Sequence, residues 1–149
     1  MLKKTITFHD LDGNEVTQDF WFHLSKAELL EMEISTTGGL RESMQRLIDK
    51  RDGESVIRTY KDLILKSYGE RSLDGLRFMK EDKDGHPLYK EFMQTEAYSE
   101  LFSSLVTDDK AAAEFFNGVL PKEVLDKMAE EEAAEEEAAG NLPDLTVVK

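Results

Sequence analysis

"QDFWFHLSKAELLEMEIS", residues 18–35, is the stretch that decides the fold. Its first half is aromatic and suited to a strand; its second half is charged and suited to a helix, with the change falling between Phe22 and Ser25. Successive strand side chains point to opposite faces, so Phe20, Trp21 and Phe22 cannot all enter one core. Phe20 and Phe22 share a face. Trp21 points the other way, toward a second layer of the fold or toward a partner.

Working backward, "KKTITFH" alternates around Ile6 and Phe8, and "DLDGN" supplies an Asp-Gly turn, so residues 3–23 read as an antiparallel β-hairpin. A two-residue Asp-Gly loop pairs Ile6 with Asp19 and mixes the two faces. A loop over Asp12, Gly13 and Asn14 pairs Ile6 with Phe20, Lys4 with Phe22 and Phe8 with Gln18. That register gathers Ile6, Phe8, Val16, Phe20 and Phe22, with Gln18 the exception, and it is the one expected. Trp21 then lies across from Thr5 on the opposite face.

Working forward, Ser25 is a helix N-cap with Glu28 three residues on, a capping box that leaves Leu24 placed for a hydrophobic staple. Leu29, Leu30, Met32 and Ile34 follow. "TTGGL" breaks the helix, and Leu40, Met44, Leu47 and Ile48 resume it up to Asp52-Gly53. Val56, Ile57, Tyr60, Leu63, Ile64 and Tyr68 form the clearest amphipathic helix, expected to end at Gly69. Residues 70–90 read as loop. Thr95 caps a helix bearing Tyr98, Leu101, Phe102, Leu105 and Val106; Asp108 or Asp109 caps "AAAEFFNG"; and Pro121 opens a last helix with Val124, Leu125 and Met128. The fold class is therefore α+β, mostly helical: a hairpin over 3–23, about six helices over 25–128, and an acidic tail. Residues 1–128 form one domain. Residues 129–149 are Ala/Glu-rich without an apolar stripe, and a frayed or disordered end is expected there.

The 149 residues suit a single core that buries roughly two thirds of the unfolded surface. With 32 acids against 19 bases and a net charge of −13, the chain repels phosphate backbones, so nucleic acid is not an expected partner. The absence of cysteine removes disulfides, thiolate nucleophiles and Cys-ligated zinc. No apolar run approaches the roughly 20 residues of a membrane span. "MLKKTITFHD" has no apolar core of a signal peptide, and none is expected.

Catalytic patterns are missing. In the expected register His9 faces Thr17 and His23 faces Lys3, so the hairpin does not join two histidines as metal ligands. No serine lies in a G-x-S-x-G setting. With Gly85 as position 6 of a calcium loop, Asp82, Asp84 and Glu91 fall at positions 3, 5 and 12, but Lys80 occupies position 1 where a carboxylate belongs. "TTGGLR" lacks the Lys-Ser/Thr ending of a phosphate loop. No catalytic, cofactor or metal site is expected. Trp21 remains as an anchor for protein–protein contact, because covering it removes a large apolar surface from water.

Three stretches together resemble the tail assembly chaperones of long-tailed bacteriophages, in the group common among phages of Gram-positive hosts. They are the aromatic strand leading into "LSKAELLEME", the segment "LILKSYGERSLDGLRF", and "TEAYSELFSSLVTDDKAAAEFFNG"; the likeness runs from residue 3 to about residue 125. The resemblance implies a non-enzymatic protein of the host cytoplasm, absent from the mature virion. It implies that several copies coat the long tape measure protein before the tail tube forms around it. It also implies, for many members, a longer form made by ribosomal frameshift that recruits tail tube subunits. Within that frame, Trp21 and the helix face of Tyr60, Leu63, Ile64 and Tyr68 are the residues expected to bind client or sister copies. The competing reading is a small adaptor acting through its acidic C-terminal tail, which would lose its partner when residues 130–149 are deleted.

Overall fold

The computed structural model describes residues 1–35 and 53–140. The expected helix around Leu40, Met44, Leu47 and Ile48 lies outside the described residues. Strands β1 (Leu2–His9) and β2 (Glu15–Phe22) form the hairpin, and helix α1 (Lys26–Ser35) follows directly. Helix α2 (Gly53–Ser67) leads into strand β3 (Tyr68–Arg71), strand β4 (Phe78–Met79) and the single turn α3 (Tyr89–Phe92). Helices α4 (Glu96–Thr107), α5 (Asp109–Val119) and α6 (Lys122–Gly140) complete the described chain. The fold is α+β and mostly helical, with six helices among the described residues.

The four strands form one antiparallel sheet in the order β1-β2-β3-β4. Its register corrects the expected one. Ile6 pairs with Gln18, Lys4 with Phe20, Leu2 with Phe22 and His9 with Glu15, a shift of two residues. The reason is Asp10, which serves the turn and not the strand. Its Oδ1 accepts the backbone N–H groups of Asp12 (3.0 Å) and Asn14 (2.8 Å), and its own N–H donates to Asn14 O at 2.9 Å. The loop therefore spans residues 10–14, with Gly13 at φ +86° where a Cβ would be strained. Because strand faces repeat every second residue, a two-residue shift leaves every side chain on its expected face. Trp21 lies across from Lys3 instead of Thr5, and His9 faces Glu15 instead of Thr17.

One face of the sheet carries Ile6, Phe20 and Phe22 into a core shared with Leu24, Leu29, Leu63, Ile64, Phe92, Leu101, Leu105 and Phe115. Phe92 is its aromatic centre. Its ring stacks on Tyr68 at 4.2 Å and meets Phe20 at 5.2 Å and Phe22 at 5.8 Å. Phe22, fully buried, also meets Phe115 edge-on at 5.1 Å. The corner after β2 is fixed from both sides: His23 N–H donates to Ser67 O at 2.7 Å, and Leu24 N–H donates to Val119 O at 3.1 Å.

The capping box at Ser25 forms in both directions. Ser25 N–H donates to Glu28 Oε1 at 3.0 Å, and Glu28 N–H donates to Ser25 Oγ at 3.1 Å. Thr95 Oγ1 accepts Tyr98 N–H, and Asp108 Oδ1 accepts the N–H groups of Lys110 and Ala111, as expected for caps of α4 and α5. The expected loop over 70–90 instead contains β3, β4 and α3, and Tyr68 opens β3 instead of closing α2. Helix α6 runs through Gly140, past the point where fraying is expected. Every side chain described on it is exposed, so its helical form rests on the propensity of Ala and Glu.

Candidate partner-binding surface

The outer face of the sheet starts as a polar ladder. Thr5 Oγ1 donates to Asp19 Oδ1 at 2.6 Å, the hydroxyls of Thr7 and Thr17 are 3.0 Å apart, and Lys3 Nζ is 3.8 Å from Asp19 Oδ2. Lys3, Thr5, Thr7 and Thr17 are all exposed, so no described helix lies over them. Trp21 stands at the end of this ladder, half-buried, between Lys3 on β1 and Gly69 on β3.

Gly69 has no side chain to screen Trp21, and it has no room for one. A Cβ there would lie 2.4 Å from Met79 O and 2.6 Å from Phe78 Cε1. The Phe78 ring therefore packs over the Gly69 backbone, with His23 edge-on at 5.5 Å and Lys80 Nζ 5.6 Å from the ring centroid. Phe78 and His23 thus meet beside Gly69, the strand partner of Trp21. His23 Nδ1 is buried without a hydrogen-bond partner among the described residues, and burial, with the charge of Lys80 nearby, pulls its pKa below the ordinary imidazole value. Beside Trp21 the sheet opens into a cavity of about 300 Å³, between Gln18–Trp21 of β2 and Glu70, Arg71 and Leu73.

The helix residues expected to act with Trp21 lie elsewhere. Leu63 is 6% exposed and Ile64 is fully buried, both within the monomer's own core. Tyr68 is half-buried against Phe92, where burial, with Glu70 and Glu91 close by, raises its phenol pKa. Tyr60 is half-buried on α2 next to Ile57, which is exposed. The sequence reading also overlooks Leu73 and Leu76, both almost fully exposed on the turn between β3 and β4. Their signal is the leucine on either side of the Asp-Gly pair in "SLDGL".

A second cavity, about 460 Å³, lies between α1, α2 and the β4–α3 connection, with Leu24, Met32, Leu65 and Tyr89 in its walls. Lys80 spans it, donating to Glu28 Oε2 at 2.9 Å and to the carbonyl of Lys66. Burial alone would raise the Glu28 pKa, but the Ser25 N–H and Lys80 more than offset it, leaving the carboxyl below its usual range. Lys80, the cation that spoils the calcium pattern, is thus a tie between β4 and two helices.

Asp82, Asp84 and His86 place three ligand-type atoms within 4.8 Å of one another, all exposed. Asp82 Oδ1 accepts the N–H groups of Asp84 and His86, both at 2.9 Å, and Asp82 Oδ2 lies 3.1 Å from His86 Nδ1. The loop at Asp10–Asn14 builds the same turn from "DLDG", so turn formation accounts for the Asp82 arrangement.

The described residues thus define a small α+β protein with Trp21 on the outer face of its sheet, beside a cavity of about 300 Å³. A family model described as "Phage tail assembly chaperone" matches residues 1–146, and the chain belongs to that family. No curated protein and no solved structure matches it. No helix among the described residues is long and apolar enough to cross a membrane.

Proposed function

We propose that this chain is a non-enzymatic chaperone that binds the phage tape measure protein and keeps it soluble in the host cytoplasm during tail assembly. Several copies coat one client, help recruit tail tube subunits, and are absent from the finished virion. A longer frameshifted form would supply the recruiting extension. The observation that carries the reading is the open sheet face. In a member of this family, Trp21 is half-exposed beside Lys3, Thr5 and Asp19, and Lys3 and Thr5 carry no described helix over them. An apolar anchor framed by charges lets a protein hold an amphipathic client while staying soluble.

Phe78 and His23 extend the anchor, and on α2 a client would meet Ile57 and Tyr60, since Leu63 and Ile64 are enclosed. The test is co-expression with the tape measure protein of the same phage. The tape measure protein is expected in the insoluble fraction when expressed alone and in the soluble fraction, co-purifying with this chain, when the two are made together. A tape measure protein whose solubility is unaltered by co-expression contradicts the proposal.

A further inference from the structure

The turn from Ser72 to Arg77, between β3 and β4, holds two leucines out in water. Leu73 is 103% exposed and Leu76 is 82% exposed. The turn beneath them is fixed by its own hydrogen bonds. Ser72 is buried; its Oγ–H donates to Asp74 Oδ1 at 2.6 Å and its Oγ accepts the Arg77 N–H at 3.0 Å. Asp74 Oδ1 also accepts the Leu76 N–H at 3.0 Å. The turns closed by Gly13 and Gly85 offer a comparison. At the positions of Leu73 and Leu76 they carry Leu11 and Asn14, and Lys83 and His86, so of the three only this turn presents two apolar side chains. A rigid apolar knob loses little freedom when it is covered.

A hollow lies beside the knob. The cavity of about 300 Å³ has Phe20, Trp21 and Tyr68 in its walls and Leu73 on its border, while Leu76 stands further along the turn. We infer that two copies of this chain pair about a two-fold axis at Leu73, each setting its Leu76 into the cavity of the other. A two-fold rotation there exchanges the two sides of Leu73, so it carries the Leu76 of one copy over the hollow of its sister. The two Leu73 side chains meet at the axis. A knob and a hollow side by side on one surface are what a self-complementary contact requires.

Charge assigns the contact to a second copy. Arg71 and Arg77 flank the leucines against the single acid Asp74, so the turn is locally positive in a chain of net charge −13. The lining of the hollow includes the acids Asp19 and Glu70. Arg77 and Glu70 are both exposed, and neither makes an ion pair among the described residues. The two-fold arrangement brings the Arg77 of each copy to the Glu70 of the other, so the pair forms twice. Repulsion between the two net charges is screened over about 8 Å in physiological salt, which leaves the groups at the contact to decide. Such pairing gives the several copies of the reading above a contact, and it is measured with no client present.

The experiment is light scattering over a concentration series on the full chain and on Leu76→Asp, Arg77→Glu, Glu70→Arg and the double variant Arg77→Glu/Glu70→Arg. All three positions are exposed, so each variant is expected to keep its fold, checked by circular dichroism. The wild type is expected to rise toward dimer mass with concentration. The emission of Trp21, the sole tryptophan, is expected to shift to shorter wavelength in step, because the hollow beside it fills. Leu76→Asp and both single charge reversals are expected to stay monomeric with unshifted emission, and the double variant to regain the dimer. The charge reversals read the contact without touching an apolar residue. A wild type monomeric at every concentration overturns the pairing, as does a dimer that persists in Leu76→Asp or a double variant no better than the single ones. None of these outcomes involves the tape measure protein, so the chaperone reading stands or falls separately on its solubility.

Discussion

Gly69 and His23 show at the residue scale how the outer face is held. A methyl group at position 69 would press on Met79 O at 2.4 Å and on the Phe78 ring, so Gly69→Ala must push β4 away from β3. Overpacking of this kind costs about 1–3 kcal/mol, and urea unfolding of the variant is expected to show a loss in that range. His23 gives a pH dependence with a definite sign. Its folded-state pKa is lowered, chiefly by burial, so the unfolded chain takes up the proton first as pH falls. Stability is fully present above the ordinary imidazole value of about 6.5 and declines as pH drops below it. Glu28 acts in a lower window, because its folded pKa is depressed beneath the carboxylate range. The expected result is a melting temperature that falls from pH 7.5 to 5.5, with a smaller fall in His23→Gln. An equal fall in both proteins excludes His23 as the source.

The elements divide into those legible in the sequence and those set by tertiary contact. The hairpin faces were readable because the pleat has a period of two: a two-residue shift in pairing leaves Ile6, Phe8, Phe20 and Phe22 on one face, and only the one-residue shift of the rejected Asp-Gly loop separates them. The pairing partners were not, because the three residues Asp12–Asn14 are enough to close a hairpin, whereas here Asp10 is recruited to the turn by the N–H groups of Asp12 and Asn14. The same signal recurs. "DLDG", "SLDG" and "DKDG" each end on a glycine at positive φ, Gly13 (+86°), Gly75 (+74°) and Gly85 (+81°), and each closes a turn with its first or third side chain. β3 and β4 escaped notice because four and two residues carry no alternation to read; they exist because Trp21 and Phe22 offer an edge. Caps were legible where the side chain itself makes the bond. Removing one such bond by Ser25→Ala is expected to cost about 1 kcal/mol in chemical denaturation. A value near zero would mean that Leu24 and Leu29, both buried, fix the start of α1 without the box.

For the molecule as a whole, a net charge of −13 keeps copies apart at long range, and in the proposed role the sheet face that no described helix covers at Lys3, Thr5, Thr7 and Thr17 acts at contact. Of the candidate surface, Trp21 was legible, since three consecutive aromatics in a strand require one to face away from the core. The α2 face was not, because an amphipathic stripe reads the same whether it packs on its own core or on a partner; here Leu63 and Ile64 pack on their own core. The proposed role puts the tape measure protein on the Trp21 face. Its most direct test is light scattering of the co-expressed complex with wild-type chain and with Trp21→Ala, whose fold is checked by circular dichroism. The expected result is a soluble complex with several copies of this chain for the wild type, and a complex lost or reduced in copy number for a still-folded Trp21→Ala. Complexes of equal mass and yield from the two chains would contradict it.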